Sequence, residues 1–339
     1  MSNYILGIES SCDDTSASVV DGNILLSNVI ANQDIHKNFG GVVPEYASRA
    51  HQINIVPVIN HALQLAKIQK NQLSAVAFTR GPGLLGSLLV GTSFAKSMAM
   101  ALDIPLIEVD HLQAHILSHF ILEKGEEKKL PEFPFLCLIV SGGHTMIVLV
   151  KSYSSFSIIG NTIDDAAGEA FDKAAKILGL PYPGGQMIDL NAKSGNPLAF
   201  SFPEPKAGAL DFSFSGLKTS FLYFIRDNVR INPRFIAENL PDLCASIQHT
   251  IVRILIKKLS LAAKQTGINQ IAISGGVSAN SYLRSELTNE IDKQKWTVFI
   301  PGKIFSTDNA AMVAVAGYYK YLQKEFAPQN ITPYTRNQL

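Results

Sequence analysis

The sequence predicts an α/β protein built from two similar units, and three observations carry that prediction. Strand-like and helix-like runs alternate, as in "LSAVAFTRGPGLLGSLLVGTSFAKSMAMAL", the pattern of strands feeding covering helices. An apolar strand, a polar turn and further β-prone segments open the chain in "YILGIESSCDDTSASVVDGNILLSNVI", and the same plan returns in "FLCLIVSGGHTMIVLVKSYSSFSIIG". The chain has 339 residues, 47% hydrophobic and 17% charged, whereas a single core stops growing near about 250–300 residues.

Each opening plan is followed later by a strand, a glycine turn and a helix, the second time in "INQIAISGGVSANSYLRSELTNEI". The charged stretch "EKGEEKKLPEFP" marks the join, giving a first lobe over 1–130 and a second over 131–306. The longer spacing in the second lobe leaves room for an insertion over about 180–245, which takes in "FSFSGLKT". Ligands are expected in a cleft between the lobes, at the carboxyl ends of strands.

The N-terminus has no basic segment and meets Glu9 and Asp13 before any long apolar run. No signal peptide or membrane span is expected, so the reading is cytoplasmic with no membrane partner. Cys12, Cys137 and Cys244 are widely spread and odd in number, which argues for reduced thiols and against a disulfide framework or a cysteine zinc site. A net charge of +1 gives no global signature of nucleic-acid binding, so such a partner requires a local patch or a helper protein.

The motif "HLQAH" places His111 and His115 at i and i+4. On a helix rising about 1.5 Å per residue they stack one turn apart and can converge on one ion. His119 continues the series but stands about 12 Å from His111 along the axis, too far to join it. The same spacing also fits histidines packed against a strand. Leu112 occupies the position where a zincin peptidase carries glutamate, so metal-assisted proteolysis lacks its base. A third ligand is available in Asp308, expected in the opening turn of the helix in "STDNAAMVAVAGYYKYL", where it serves equally as favourable helix-dipole charge. Two imidazoles and one carboxylate would leave open positions for substrate oxygens, the composition of a catalytic metal site.

"SGGHT" (Ser141, Gly142, Gly143) follows one β-rich run and "SGGVSAN" follows another. Glycines there let backbone N–H groups approach phosphate or ribose oxygens, and two such turns, read as corresponding positions of the two lobes, favour a shared nucleotide cleft. Asn280 adds an amide, or caps the next helix. "GPGLLG" matches a dinucleotide fingerprint, but it lies deep in its half and Pro82 removes a donor, so NAD binding is set aside. In "NTIDDAAGEAFDKAAKILGLPYPGGQMIDL", Ala167, Phe171, Ala174 and Leu178 form a buried helical stripe stopped at Gly179. Asp165, Glu169, Asp172 and Lys176 line the other face, with an Asp172–Lys176 pair as the plain reading.

Taken in order, "GIESSCDDTS", "HLQAHI", "SGGHT", "DDAAGEAFDKAAKILGLPYPGG", "FSFSGLKT", "ISGGVSAN" and "STDNAAM" resemble the bacterial TsaD family, the tRNA adenosine threonylcarbamoyltransferases formerly described as O-sialoglycoprotein endopeptidases. The resemblance spans Tyr4 to about Tyr321 with no departure at the signature positions. It implies the duplicated two-lobed fold of actin, heat-shock chaperones and sugar kinases, with the C-terminal helix, about 307–325, returning to the first lobe. It implies metal ligands at His111, His115 and Asp308, for iron or zinc, one ion per subunit. It implies substrate contacts at Ile139, Val140, Ser141, Gly142, Gly143, Asp172, Gly185, Asp189 and Asn280.

The implied reaction moves a threonylcarbamoyl group from threonylcarbamoyl-adenylate to the exocyclic amine of the adenosine beside the anticodon, in tRNAs reading codons that begin with A, releasing AMP. A TsaB-like paralogue and a TsaE-like ATPase are the implied partners. No general base is assigned; His144 and Asp13 are only neighbours of the motifs. An ATP-dependent kinase or ATPase of the same fold is the alternative, disfavoured because Mg²⁺ prefers oxygen ligands to histidine. A non-catalytic scaffold is disfavoured by the complete His, Asp and Gly set.

Overall fold

A computed structural model describes residues 2–33, 36, 39 and 41–336. The chain divides into two compact units, Met1–Pro131 with Lys151–Phe156 and Pro301–Leu339, and Glu132–Val150 with Ser157–Ile300.

The first unit opens with β1 (Tyr4–Glu9), β2 (Thr15–Asp21) and β3 (Ile24–Ala31), followed by α1 (Pro44–Ala66), β4 (Ala75–Gly81), α2 (Leu85–Leu102), β5 (Leu106–Asp110) and α3 (His111–Leu117). Its sheet runs β3-β2-β1-β4-β5, antiparallel through β2 and parallel from β1 to β5. Ile5, Leu6 and Ile8 of β1 are all buried, as a parallel strand covered on both faces requires. Because β1, β4 and β5 run the same way, Glu9, Thr79 and Asp110 collect at one edge, the carboxyl edge where α/β sheets bind ligands. Helix α2 has the length and hydropathy of a membrane span, yet its Leu88, Ala95 and Ala99 are buried and it packs on α1 and β4.

The second half repeats the plan with β6 (Phe135–Val140), β7 (Thr145–Ser152) and β8 (Ser155–Asn161). After α4 (Ala167–Ile177), α5 (Gly184–Ala192), α6 (Ser215–Ile231) and α7 (Phe235–Thr266) come β9 (Gln270–Ser274), α8 (Ser281–Gln294) and β10 (Thr297–Phe299). The sheet order β10-β9-β6-β7-β8 matches the first sheet with β6 in the place of β1 and β9 in the place of β4, and β6 again pairs antiparallel with one neighbour and parallel with the other. The core here is aromatic, with Phe171, Phe212, Phe214 and Phe221 buried together with Leu136 and Leu138 of β6. The α4 stripe of Ala167, Phe171, Ala174 and Leu178 is buried, and Gly179 beyond it adopts φ +74, the left-handed stop that glycine accepts freely.

The chain then adds α9 (Lys303–Ser306) and α10 (Ala310–Leu322) to the first unit. Helix α10 lies hard against β1, because a side chain at Gly7 would run into the Ala310 carbonyl and Ala314, and one at Gly317 into Ala77. The Ala310 N–H donates to Ser16 Oγ at 2.9 Å, fixing where α10 begins. Asp308 precedes the cap rather than lying in the opening turn: Asn309 is the N-cap, its side chain accepting from the Met312 N–H at 3.1 Å. Its carboxylate is therefore free to point away from the helix axis.

Candidate functional site

Asp110 ends β5 and caps α3, its Oδ1 accepting from the Leu112 N–H at 2.9 Å and the Gln113 N–H at 3.0 Å. That cap starts the helix at His111, so the two histidines project from one face a turn apart, rings 4.7 Å apart and nearly perpendicular. Asp308 Oδ1 lies 3.2 Å from His115 Nε2 and 3.5 Å from His111 Nε2. Two ligand atoms each about 2.1 Å from a tetrahedral ion stand about 3.4 Å apart, so both separations suit a shared metal. One ligand atom from each of the three residues falls within 4.8 Å of the others. His119 is buried but stands outside this group.

A second layer orients the first. His111 Nδ1 meets Glu9 Oε2 at 3.1 Å and Ser11 Oγ at 3.2 Å, while Glu9 accepts from the Ser11 N–H at 2.5 Å and Thr79 Oγ1 at 2.7 Å. With the neutral ring donating Nδ1–H to Glu9, the Nε2 lone pair faces Asp308, the carboxylate–histidine arrangement of metal sites. Burial alone would lower the His111 imidazole, but the carboxylates of Asp308 and Glu9 outweigh it and hold the ring well above its ordinary range. The same ring, against the opposing push of burial, holds Glu9 and Asp308 low. Without metal, a proton on His111 balances two carboxylates; a cation bound by Nε2 replaces it. The imidazole Nδ1 of His115 is buried and has no hydrogen-bond partner among the described residues.

The turn after β1 is pinned by His51, whose Nδ1 contacts Thr15 Oγ1 at 2.8 Å and whose Nε2 contacts the Cys12 carbonyl at 3.0 Å. Within it, burial first, then the charges of Asp13 and Asp308, push the Asp14 carboxyl up to about 7.

The two Gly-Gly turns do not fall one in each lobe, as the sequence suggested: both lie in the second unit, at the carboxyl ends of adjacent parallel strands, β6 and β9, because β9 holds the place within that sheet that β4 holds in the first. A side chain at Gly275 would collide with the Val140 carbonyl, and one at Gly168 with the Ser141 carbonyl and the Gly142 backbone. Gly142 and Gly143 are exposed, with open space where their side chains would be. Ile139 and Val140 are fully buried at the end of β6, where Ile139 pairs with both β7 and β9 and Val140 with β7. Asp172 accepts from the Gly185 N–H at 3.1 Å, and burial raises its carboxyl. Asp189 accepts from Ser281 N–H at 3.2 Å and Oγ at 2.8 Å, next to Asn280. Asn280 caps α8 through Leu283 N–H and donates to Gln248 at 2.7 Å. The expected Asp172–Lys176 pair is replaced: the ion pairs are Lys173 with Asp165 at 2.7 Å and with Glu169 at 2.8 Å, because Asp172 turns to the glycine backbone of α5.

Residues 24–315 match the family model TsaD, tRNA N6-adenosine threonylcarbamoyltransferase. The chain belongs to the TsaD family. A relative named tRNA N6-adenosine threonylcarbamoyltransferase from Porphyromonas gingivalis is 59% identical over 332 residues, 98% of this chain and 97% of the relative. Another so named, from Christiangramia forsetii, is also 59% identical, with the same shares covered. The fold is shared more widely. T. kodakarensis HypF is similar with TM-score 0.60 at 14% identity over 96% of this chain and 48% of that one. The activator of the 2-hydroxyisocaproyl-CoA dehydratase from Clostridium difficile, solved with bound ADPNP, gives 0.51 at 15% over 96% and 98%. At such identity these two establish the actin-like fold alone.

As a TsaD-family member the chain is a tRNA-modifying transferase, and that reading holds over the kinase or ATPase alternative. The "GPGLLG" glycines have a packing explanation: a side chain at Gly83 would strike the Ser11 carbonyl, and the Leu84 N–H donates to that same carbonyl at 2.8 Å. Sequence reasoning missed Glu9, whose one signal is an acid ending the apolar run "YILGIE", where burial demands a partner. It also missed Asp164, which gathers Ser213 Oγ, Phe214 N–H, Ser215 N–H and Ser215 Oγ at 2.5–3.3 Å at the start of α6.

Proposed function

We propose that this chain transfers the threonylcarbamoyl group of threonylcarbamoyl-adenylate to the N6 amine of the adenosine beside the anticodon, in tRNAs reading codons that begin with A. The reaction is assisted by one iron or zinc ion held by His111, His115 and Asp308. The observation that carries the reading is the convergence of two histidine nitrogens and a carboxylate oxygen within 4.8 Å of one another in a TsaD-family chain. The donor set fits either metal: imidazole suits both, and three protein ligands leave positions for substrate.

In the reaction the amine nitrogen bonds to the carbamoyl carbon, the bond from that carbon to the adenylate oxygen breaks, AMP departs and the amine sheds one proton. The bound ion supplies Lewis acidity where charge gathers on the donor oxygens. The chain's own residues bind and orient. Backbone groups of Ile139, Val140, Ser141, Gly142 and Gly143 serve the donor phosphate and ribose, whose approach the absent side chains of the glycines allow. Asp172 and Asp189 accept from ribose hydroxyls, with Gly185 giving close backbone approach. Asn280 holds the turn beside them. Fixing donor and amine in one frame converts a bimolecular encounter into an oriented reaction. Glu9 keeps the His111 Nδ1 proton away from the ligand face.

The near-neutral charge supports sharing of the tRNA among several proteins, and a TsaB-like paralogue and a TsaE-like ATPase complete the cytoplasmic set. The test is reconstitution: this chain, those partners, the donor, one metal and unmodified tRNA, with the digested nucleosides weighed by mass spectrometry. A threonylcarbamoyl mass on adenosine that requires this chain is the expected result; donor hydrolysis with unmodified adenosine contradicts the proposal.

A further inference from the structure

We propose that Tyr334 is a positioning residue of the metal centre, its hydroxyl locking the Asp110 carboxylate that starts the helix carrying both histidines. The inference rests on the metal reading above, and Tyr334 lies beyond the 24–315 matched by the family model.

Past α10 the chain runs as an irregular strap over the first sheet. The Ala327 N–H donates to the Leu106 carbonyl at 2.8 Å, Ile331 is buried in the core, Lys96 Nζ donates to the Ile331 carbonyl, and Arg80 Nε donates to the Thr332 carbonyl at 2.8 Å. The strap ends at Tyr334, whose N–H donates to the Arg80 carbonyl at 3.2 Å and whose ring lies 5.3 Å under the Arg80 guanidinium, itself paired with Glu108. Gly81 admits it: a side chain there would run into the Tyr334 carbonyl and ring.

These contacts hold the strap without the phenol oxygen. That oxygen does something separate: it donates to Asp110 Oδ2 at 2.5 Å. Burial, then the Asp110 charge, push the phenol upward, so it stays a donor at neutral pH. Asp110 Oδ1 is committed to the Leu112 and Gln113 N–H groups, so the carboxylate is held at both oxygens and cannot swing off the cap. Helix α3 has only seven residues, and its capped first turn acts together with the Glu9 and Ser11 contacts to His111 and the packing of the helix on α10 in setting the direction of His111 and His115. A fixed cap therefore helps to fix the separation of the ligand nitrogens, the kind of outer support whose loss typically weakens metal binding 10- to 100-fold.

The test uses the full chain stripped of metal and titrated with Co²⁺, read by its visible ligand-field bands. Tyr334→Phe, which keeps the ring over Arg80 and every backbone anchor, is expected to bind Co²⁺ about tenfold more weakly with altered band intensities. Ile59→Val, a core change in the same unit, lowers the melting temperature without altering either readout. Asp110→Asn serves as second variant: it keeps a capping oxygen, replaces the phenol's acceptor with a donor, and is expected to show the same loss. Unchanged cobalt affinity and bands in Tyr334→Phe, or in Asp110→Asn should the first variant not fold, overturn the proposal. So does an equal loss in Ile59→Val. Failure of the unaltered chain to bind Co²⁺ overturns the metal reading itself, a distinct result.

Discussion

His111 sits between Glu9 and Asp308, whose charges favour its protonated form when no metal is bound. A metal must displace that proton, so affinity is expected to fall about tenfold for each pH unit below the pKa of the folded-state imidazole, measured by competition titration across pH. His115→Ala removes a ligand and is expected to weaken metal binding by more than about 100-fold and to abolish transfer, with the circular dichroism of the fold unchanged. Full transfer by a metal-free His115→Ala protein would contradict it. Asp14 gives a stability test. Its carboxyl is raised from 3.8 to about 7, so between these values the folded state holds a proton that the unfolded chain has released. Stability from this group is thus present below pH 4 and lost as pH rises to 7, by up to about 4 kcal/mol. Asp14→Asn is expected to flatten that slope in thermal melts of the metal-free protein.

Two helix starts decide the shape of the second unit's turns. Gly168 opens α4 against the "SGGHT" turn, and a methyl there would stand 2.5 Å from the Ser141 carbonyl oxygen and 2.8 Å from Gly142 backbone atoms. Gly168→Ala is expected to displace the turn and weaken binding of an adenylate analogue at least about tenfold in calorimetry, a displacement penalty of more than about 1.4 kcal/mol. Asp164 holds the start of α6 through four donors, two of them hydroxyls. Because it is exposed, water replaces part of what Asp164→Ala removes, and a loss of about 1–2 kcal/mol is expected, seen as faster amide exchange at Ser215 and Gly216.

At the scale of the molecule, the duplication was legible because periodicity and turn chemistry are local: "YILGIE" and "FLCLIV" announce the same strand in two places. The histidine pair was legible for the same reason. What depended on chain reversal was not: Glu9 reaches His111 across 102 positions, and Tyr334 reaches Asp110 across 224, distances at which no spacing rule operates. Asp308 was legible as a candidate third ligand that served equally as helix-dipole charge; its geometry comes from α10 pressing on Gly7. The Asp172–Lys176 reading failed because helix spacing reports which side chains can meet, whereas the glycine backbone of α5 offered Asp172 a better partner.

The link between this one metal centre and one tRNA modification is open to experiment. Its most direct test is mass spectrometry of total tRNA nucleosides from cells depleted of this protein and complemented with either the unaltered chain or His115→Ala. Threonylcarbamoyladenosine lost on depletion, restored by the unaltered chain and not by His115→Ala, is the predicted result; an undiminished level after depletion, or full restoration by the variant, would contradict it.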